Sequence, residues 1–385
     1  MKGGIMAYLG ENIPKLGFGL MRLPKIGEGE NEHSDVETTK KMVDAFLQAG
    51  FAYFDTAWGY GDSEDTIRQA LVERYPRESF QLATKLAAWI DCETREDAIA
   101  QFETSLERTG AGYFDFYLLH NVGTVRTAYF DKFNVWDFVQ EQKAAGKIKH
   151  IGFSFHSTAE ELEEVLTAHP EAEFAQLQIN WADWDSPSIQ SRACYEVARK
   201  HNKPVIIMEP VKGGYLADPP RSVKTVFDCA DATKSYSAWA LQFAADLDGL
   251  ITVLSGMSTL EQMEENIQTM KGFTGLTADE RATIAKAQEE LKKIPVINCT
   301  TCDYCAKTCP QHIGISGTFS AMNLKTLYNN MGLINRELFF KIEHRGLKHA
   351  TECIECGACE NACPQQLPII SELKRCVEVL DLRNR

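Results

Sequence analysis

Up to residue 293 of this 385-residue chain, eight short runs rich in β-branched and aromatic residues recur. They are KLGFGL, FAYFDT, FQLATK, FDFYLL, KHIGFS, EFAQLQI, PVIIME and LITVL. Between them lie amphipathic stretches such as TTKKMVDAFLQAG, REDAIAQFETSLERTG and TAEELEEVLTAH, each closed by Gly, His-Pro or a polar turn. Strand and helix in strict alternation imply parallel strands joined by helical crossovers. Eight such units fit a closed (β/α)8 TIM barrel better than an open sheet. A doubly wound open sheet would carry a glycine-rich phosphate loop after an early strand, and no G-x-G-x-x-G pattern follows one. From Ile294 the composition changes to paired cysteines and irregular turns. The expected organisation is therefore an α/β barrel over 1–293 and a smaller, mainly helical module over 294–385.

The formal charge of −14 works against nucleic acid and anionic membrane surfaces as partners. The opening MKGGIMAYLGENIP lacks an apolar signal core, and no apolar run is long enough to span a bilayer. A cytoplasmic setting is expected. In a reducing compartment, twelve cysteines argue for metal ligation or redox chemistry rather than disulfides.

Their spacing decides between those. CTTCDYCAKTCP places Cys299, Cys302, Cys305 and Cys309 before Pro310, and CIECGACENACP repeats the pattern with Cys353, Cys356, Cys359 and Cys363 before Pro364. Each copy continues with Gln and then, one residue on, an apolar residue. This C-x2-C-x2-C-x3-C-P run is the signature of bacterial two-cluster ferredoxins, in which three thiolates hold one [4Fe–4S] cube and the fourth crosses to the other. That rule gives Cys299, Cys302, Cys305 and Cys363 to one cluster, and Cys353, Cys356, Cys359 and Cys309 to the second. Paired four-cysteine zinc sites are the alternative, but zinc requires neither the third C-x-x-C step nor the proline in both copies. Cys92, Cys194, Cys229 and Cys376 have no partner spacing and read as ordinary buried thiols. The long segment between the motifs has helical periodicity and is expected to pack the cluster module onto the barrel.

In a parallel barrel, chemistry gathers at the carboxyl ends of the strands. Asp55 ends the second strand with Tyr60 just beyond it, Lys85 ends the third, and His120 ends the fourth. Singly, each has a bland reading: a turn cap, a packing ring, a solvated amine, a satisfied core imidazole. Together they suit proton delivery to a carbonyl oxygen. A lysine ammonium beside the phenol is expected to lower its pKa from about 10, and an aspartate would hold that ammonium in place. The histidine would orient the substrate oxygen or join the relay.

FDTAWGYGDSED, LATK and FYLLH resemble the tetrad segments of the aldo-keto reductases, which implies Asp55, Tyr60, Lys85 and His120 as the catalytic set. The likeness runs the length of the barrel. KLGFGLMRLP resembles the family's first strand and implies that Gly19, Leu20 and Met21 lie near a nicotinamide. IGFSFH and FAQLQIN similarly imply Ser154 and Gln176 as carboxamide contacts, with Phe155 in place of the usual Asn. MEPVKGG implies Met208, Pro210 and Lys212 behind the ring and before the pyrophosphate, with Met208 where an aromatic ring usually stacks. SGMSTLEQMEEN implies Ser258, Thr259, Gln262, Glu265 and Asn266 at the adenosine. Uncharged Gln262 stands where many NADPH-specific members have Arg, so NADPH and NADH are both expected cofactors. The whole chain resembles the aldo-keto reductases with a C-terminal two-cluster domain, a group associated with anaerobes.

These readings imply an oxidoreductase acting on a small carbonyl or alcohol, with a ferredoxin or another electron-transfer protein as partner of the clusters. Nicotinamide moves two electrons at once and a cube moves one, a mismatch that a flavin normally bridges; no sequence signal marks a flavin. Two further readings stay open at this stage. One is a single-electron enzyme using the barrel mouth, the other a non-catalytic iron–sulfur sensor or carrier. Trp58, Trp89 and Trp181 follow strands and are expected around the mouth.

Overall fold

A computed structural model of the chain describes residues 8–27, 31–123, 126–187, 189–299, 301, 303–363 and 365–384. The expected ligand Cys302 and the motif residue Pro364 lie outside the described residues. The chain folds into two compact units, one drawn from 1–217 and 234–281, the other from 218–233 and 282–385. The boundary expected at Ile294 falls inside the second unit, which also takes in the segment 218–233.

The first unit is a closed parallel barrel. Its strands are β1 (Gly17–Gly19), β4 (Tyr53–Asp55), β5 (Gln81–Leu86), β6 (Phe114–Val122), β7 (Ile148–Phe155), β8 (Phe174–Gln178), β9 (Val205–Met208) and β10 (Leu250–Gly256). Each pairs with the next, and β1 closes the ring by pairing with both β4 and β10. Both faces of the strands are covered, which is why they read as apolar runs. Tyr53, Phe116, Leu118, Phe174, Ile206 and Ile251 fill the interior, while a larger cluster around Phe46, Phe54, Phe102 and Tyr117 seals strands to helices.

The sequence analysis did not anticipate a small antiparallel ribbon of β2 (Lys25–Ile26) and β3 (His33–Ser34). It pins the loop that carries Tyr60: Asp62 accepts from Ser34 N at 2.6 Å, Ser34 Oγ at 2.8 Å and Lys25 Nζ at 2.9 Å. Burial alone would raise the Asp62 carboxyl, but these donors pull it down to about 2. The strand carrying His120 does not end there. It runs on to Val122 through an irregular register, with Asn121 in the left-handed region at φ 59°.

The second unit has its own apolar core, built by the helices Ile315–Tyr328, Met331–Leu338 and Ile369–Val379 with Phe319, Leu338 and Leu373, and by Ile342 of the helical turn Phe339–Glu343. Helices were expected between the two cysteine motifs, and Ile315–Tyr328 and Met331–Leu338 lie there. A short helix carries the third cysteine of each copy, Tyr304–Thr308 with Cys305 and Ala358–Asn361 with Cys359. No helix among the described residues is long and apolar enough to cross a membrane.

Candidate active site and cluster module

β4 and β5 lie side by side in register, Asp55 opposite Ala83, so the two adjacent strand ends project their polar side chains into one space. Lys85 Nζ lies 2.5 Å from Asp55 Oδ1 and donates to Thr56 O at 2.7 Å; the pair is almost wholly sealed from water. Desolvation opposes the Lys85 ammonium, yet Asp55 and Tyr60 together hold its pKa above the ordinary value. Burial pushes the Asp55 carboxyl up while Lys85 pulls against it, and Asp55 Oδ2 has no hydrogen-bond partner. Lys85 Nζ stands 4.9 Å from the centre of the Tyr60 ring, and the His120 ring meets Tyr60 edge-on at 5.6 Å and 84°. The four expected residues are therefore gathered at one end of the barrel.

One electrostatic expectation is reversed. Burial raises the Tyr60 phenol above its ordinary pKa of 10.0, and the nearby Lys85 only partly offsets this. Reasoning from the neighbouring charge alone had left out desolvation, the larger effect here. His120 is driven well below its ordinary value, first by burial and then by Lys85, so it is a neutral imidazole at physiological pH. Its Nδ1 is buried with no partner, and its backbone carbonyl accepts from Trp89 Nε1 at 2.7 Å. Trp89 thus sits at the mouth as expected and Trp58 is partly exposed, whereas Trp181, in the turn past β8, is fully buried.

Around the rim, Ser154 Oγ accepts from Asn121 N at 2.8 Å, which keeps its proton free to donate elsewhere. Gln176 Nε2 reaches Met208 Sδ at 3.7 Å, while Gln176 Oε1 is buried and unpartnered. Lys212 binds Asp183 with 2.6 Å to each carboxylate oxygen, and Asn180 Nδ2 donates to Asp183 Oδ2 at 2.9 Å. The chain then passes through Gly213 (φ 65°) and Gly214 (φ 100°), left-handed positions that glycine takes without penalty. Ser258 Oγ donates to Arg22 O at 2.7 Å, and Gln262 Oε1 accepts from Ser258 N at 2.8 Å. Thr259 caps the helix Leu260–Met270, Glu265 accepts from Ser237 Oγ, and Asn266 is buried on Ser255 Oγ. Gly19 packs against β10, Met21 is exposed, and Leu20 and Pro210 are buried in packing.

Several mouth residues escaped the sequence analysis: Arg126, His156, Asn180, Asp183 and Glu209. Asp183 was detectable in principle, since WADWD places a carboxylate just past the sixth barrel strand, where Lys212 could meet it.

In the second unit the two cysteine copies repeat in backbone conformation, 54 residues apart. Thr301, Asp303 and His312 take positive φ in the first copy, and Glu355, Gly357 and Gln366 take it in the second. The Asp303 side chain accepts from Ser316 Oγ. Cys309, from the first copy, lines one pocket together with Cys353, Cys356 and Cys359 from the second. Pro310, Ile313, Ile354 and Leu373 complete its apolar wall. The sharing of one cavity by the fourth cysteine of one motif and the first three of the other fits the crossed ligation of a two-cluster module. Cys299, Cys305 and Cys363 belong to the other expected set. Cys194 and Cys376 are buried thiols, whose pKa values burial pushes to about 11 and about 12, whereas Cys229 is exposed.

Comparison with known proteins agrees with this architecture. The model of the aldo/keto reductase family matches residues 15–289. The chain belongs to the aldo-keto reductase family. A second model, the 4Fe-4S dicluster domain, matches residues 298–368, so this aldo-keto reductase carries a C-terminal ferredoxin-type domain. A curated aldo-keto reductase of Mycolicibacterium smegmatis is 29% identical over 265 residues, covering 68% of this chain and 86% of the relative. Another from the same organism is 32% identical over 145 residues, and the match spans 47% of its length, about half. Among solved structures, an aldo-keto reductase from Bacillus halodurans in its holo form superposes with a TM-score of 0.60 at 24% identity, over 73% of this chain and 95% of that one. An aldo/keto reductase from Klebsiella pneumoniae, in complex with NADP and acetate, gives 0.58 at 21% identity over 72% and 93%. At these identities the structures speak for the shared fold. The family makes the protein an oxidoreductase.

Proposed function

We propose that the barrel interconverts carbonyl compounds and alcohols with NADPH or NADH, Tyr60 being the proton donor for reduction and acceptor for the reverse. The observation that carries this reading is the buried Lys85–Asp55 pair beside Tyr60 and a neutral His120, an arrangement costly to keep unless it works. When bound, the nicotinamide supplies or accepts the hydride. The Tyr60 hydroxyl gives its proton to the carbonyl oxygen as charge develops there. The Lys85 ammonium stabilises the phenolate left behind, and Asp55 fixes the ammonium. The His120 imidazole, neutral, orients the oxygen without adding a competing charge. The orphaned Gln176 Oε1 and the free Ser154 proton suit an amide, as a nicotinamide carboxamide requires. The turn at Gly213 and Gly214 leaves backbone room for a phosphate. The Klebsiella relative's bound NADP supports the same cofactor class.

The test uses anaerobically purified protein with intact clusters, given NADPH or NADH with and without a panel of aldehydes and ketones. Nucleotide oxidation that depends on a carbonyl is expected; no oxidation with any carbonyl would sink the proposal. Cluster bleaching by nucleotide alone would show that hydride equivalents reach the clusters, through a mediator such as a flavin.

We further propose two [4Fe–4S] clusters with crossed ligands, serving exchange with a ferredoxin or another electron-transfer protein. Cys309→Ser is expected to remove the cluster held with Cys353, Cys356 and Cys359, and so to halve the bound iron while the other cluster keeps its electron-paramagnetic signal. Loss of the cluster held by Cys299, Cys305 and Cys363 instead would refute the crossing.

A further inference from the structure

One cation at the barrel mouth has no part in the chemistry described so far. Arg126, just past β6, lays its guanidinium carbon 4.7 Å from the centre of the Trp89 ring. That indole is bonded through Nε1 to the His120 carbonyl and stands 6.1 Å from the His120 ring at 62°. The Tyr60 ring in turn meets His120, so a contiguous row of side chains runs from Arg126 through Trp89 and His120 to the proposed proton donor.

The two lysines placed at the mouth are already spent. Lys85 is paired with Asp55 and Lys212 with Asp183. Glu209 acts on Tyr60 and His156, but among the described residues no carboxylate offsets Arg126, whose pKa burial lowers with nothing opposing. His156 and His120 are both held below their ordinary values, burial being the first cause in each. The mouth beside His120 therefore carries a single uncompensated positive charge in a partly dry setting, which favours an anion.

We propose that Arg126 receives the carboxylate of the substrate, which makes oxo acids, carbonyl compounds bearing a carboxylate, the substrate class of this site. The assignment rests on the carbonyl-reductase reading above. A planar guanidinium fork matches a carboxylate in two parallel hydrogen bonds, and its contact with the Trp89 ring restrains it before the substrate arrives. A single positive charge flanked by neutral imidazoles matches a monoanion. A phosphate dianion calls for a second cation or a cluster of backbone N–H groups.

The experiment compares the nucleotide-loaded holoprotein with its Arg126→Gln and Arg126→Lys variants. Pyruvate, succinic semialdehyde and 4-carboxybenzaldehyde are each measured against their methyl esters. In Arg126→Gln the acid-to-ester ratio of kcat/KM is expected to fall about tenfold or more, mainly through KM, as loss of a charge-assisted pair requires. Arg126→Lys should recover part of it. A fall shared equally by acid and ester, or no fall, overturns the assignment. Binding of the same carboxylates is followed in parallel by quenching of tryptophan fluorescence. If no carbonyl is turned over yet carboxylates bind in an Arg126-dependent way, the reductase reading fails and the carboxylate site stands. Binding indifferent to Arg126, or inorganic phosphate binding through Arg126 more tightly than acetate, overturns the carboxylate site itself.

Discussion

Tyr60→Phe is expected to lower kcat for the proposed carbonyl reduction by about 10²–10⁴-fold, the usual worth of a positioned general acid, while the dissociation constant for NADPH or NADH should stay close to that of the wild type. The substitution removes only the hydroxyl; the ring keeps its packing against His120 and its place over Lys85. The pH profile gives an independent reading. Reduction needs the phenol protonated, and burial raises its pKa above 10.0. Activity limited by this group should therefore persist up to the ordinary phenol pKa and fall only at higher pH. A falling limb well below pH 10 that survives in Tyr60→Phe would show that another group is the acid.

The second large effect is on stability. Lys85→Met leaves Asp55 buried with no opposing charge, and stranding one partner of such a pair costs about 3–5 kcal/mol. The cost is raised here because Asp55 Oδ2 already lacks a hydrogen bond. The double variant Lys85→Met/Asp55→Leu removes both charges at once and should recover most of that loss, while remaining inactive. Urea unfolding of the barrel, followed by tryptophan fluorescence with the clusters kept intact, compares the two. Equal midpoints for the single and double variants would mean that Asp55 escapes the penalty by taking up a proton.

The barrel was legible because strands covered on both faces must be apolar throughout, and the candidate site because polar side chains stand where each apolar run stops. Asp55, Lys85 and His120 could therefore be picked out by position alone. The ribbon of Lys25–Ile26 with His33–Ser34 could not, since two residues per strand leave no period to read. Arg126 and Asp183 went unnoticed for a different reason: each acquires meaning only from a side chain distant in sequence, Trp89 for one and Lys212 for the other. The direction of the Tyr60 shift was misjudged because a sequence shows which charges are near and hides how much water has been removed. In the cysteine module the spacing alone supplied the proposed ligand sets. The left-handed residues that repeat with it, Asp303 and His312 among them, carry side chains that do not announce that conformation.

The path of the chain between its two units bears on how such a protein could be taken apart. It passes from one to the other at 217/218, returns at 233/234 and leaves again at 281/282. The segment 218–233 follows directly on the turn bearing Lys212 and Gly213. The aldo/keto reductase match nevertheless runs through it unbroken, from 15 to 289, before the 4Fe-4S dicluster match begins at 298. A truncation meant to isolate the barrel therefore has to keep 218–233 and the residues up to 289.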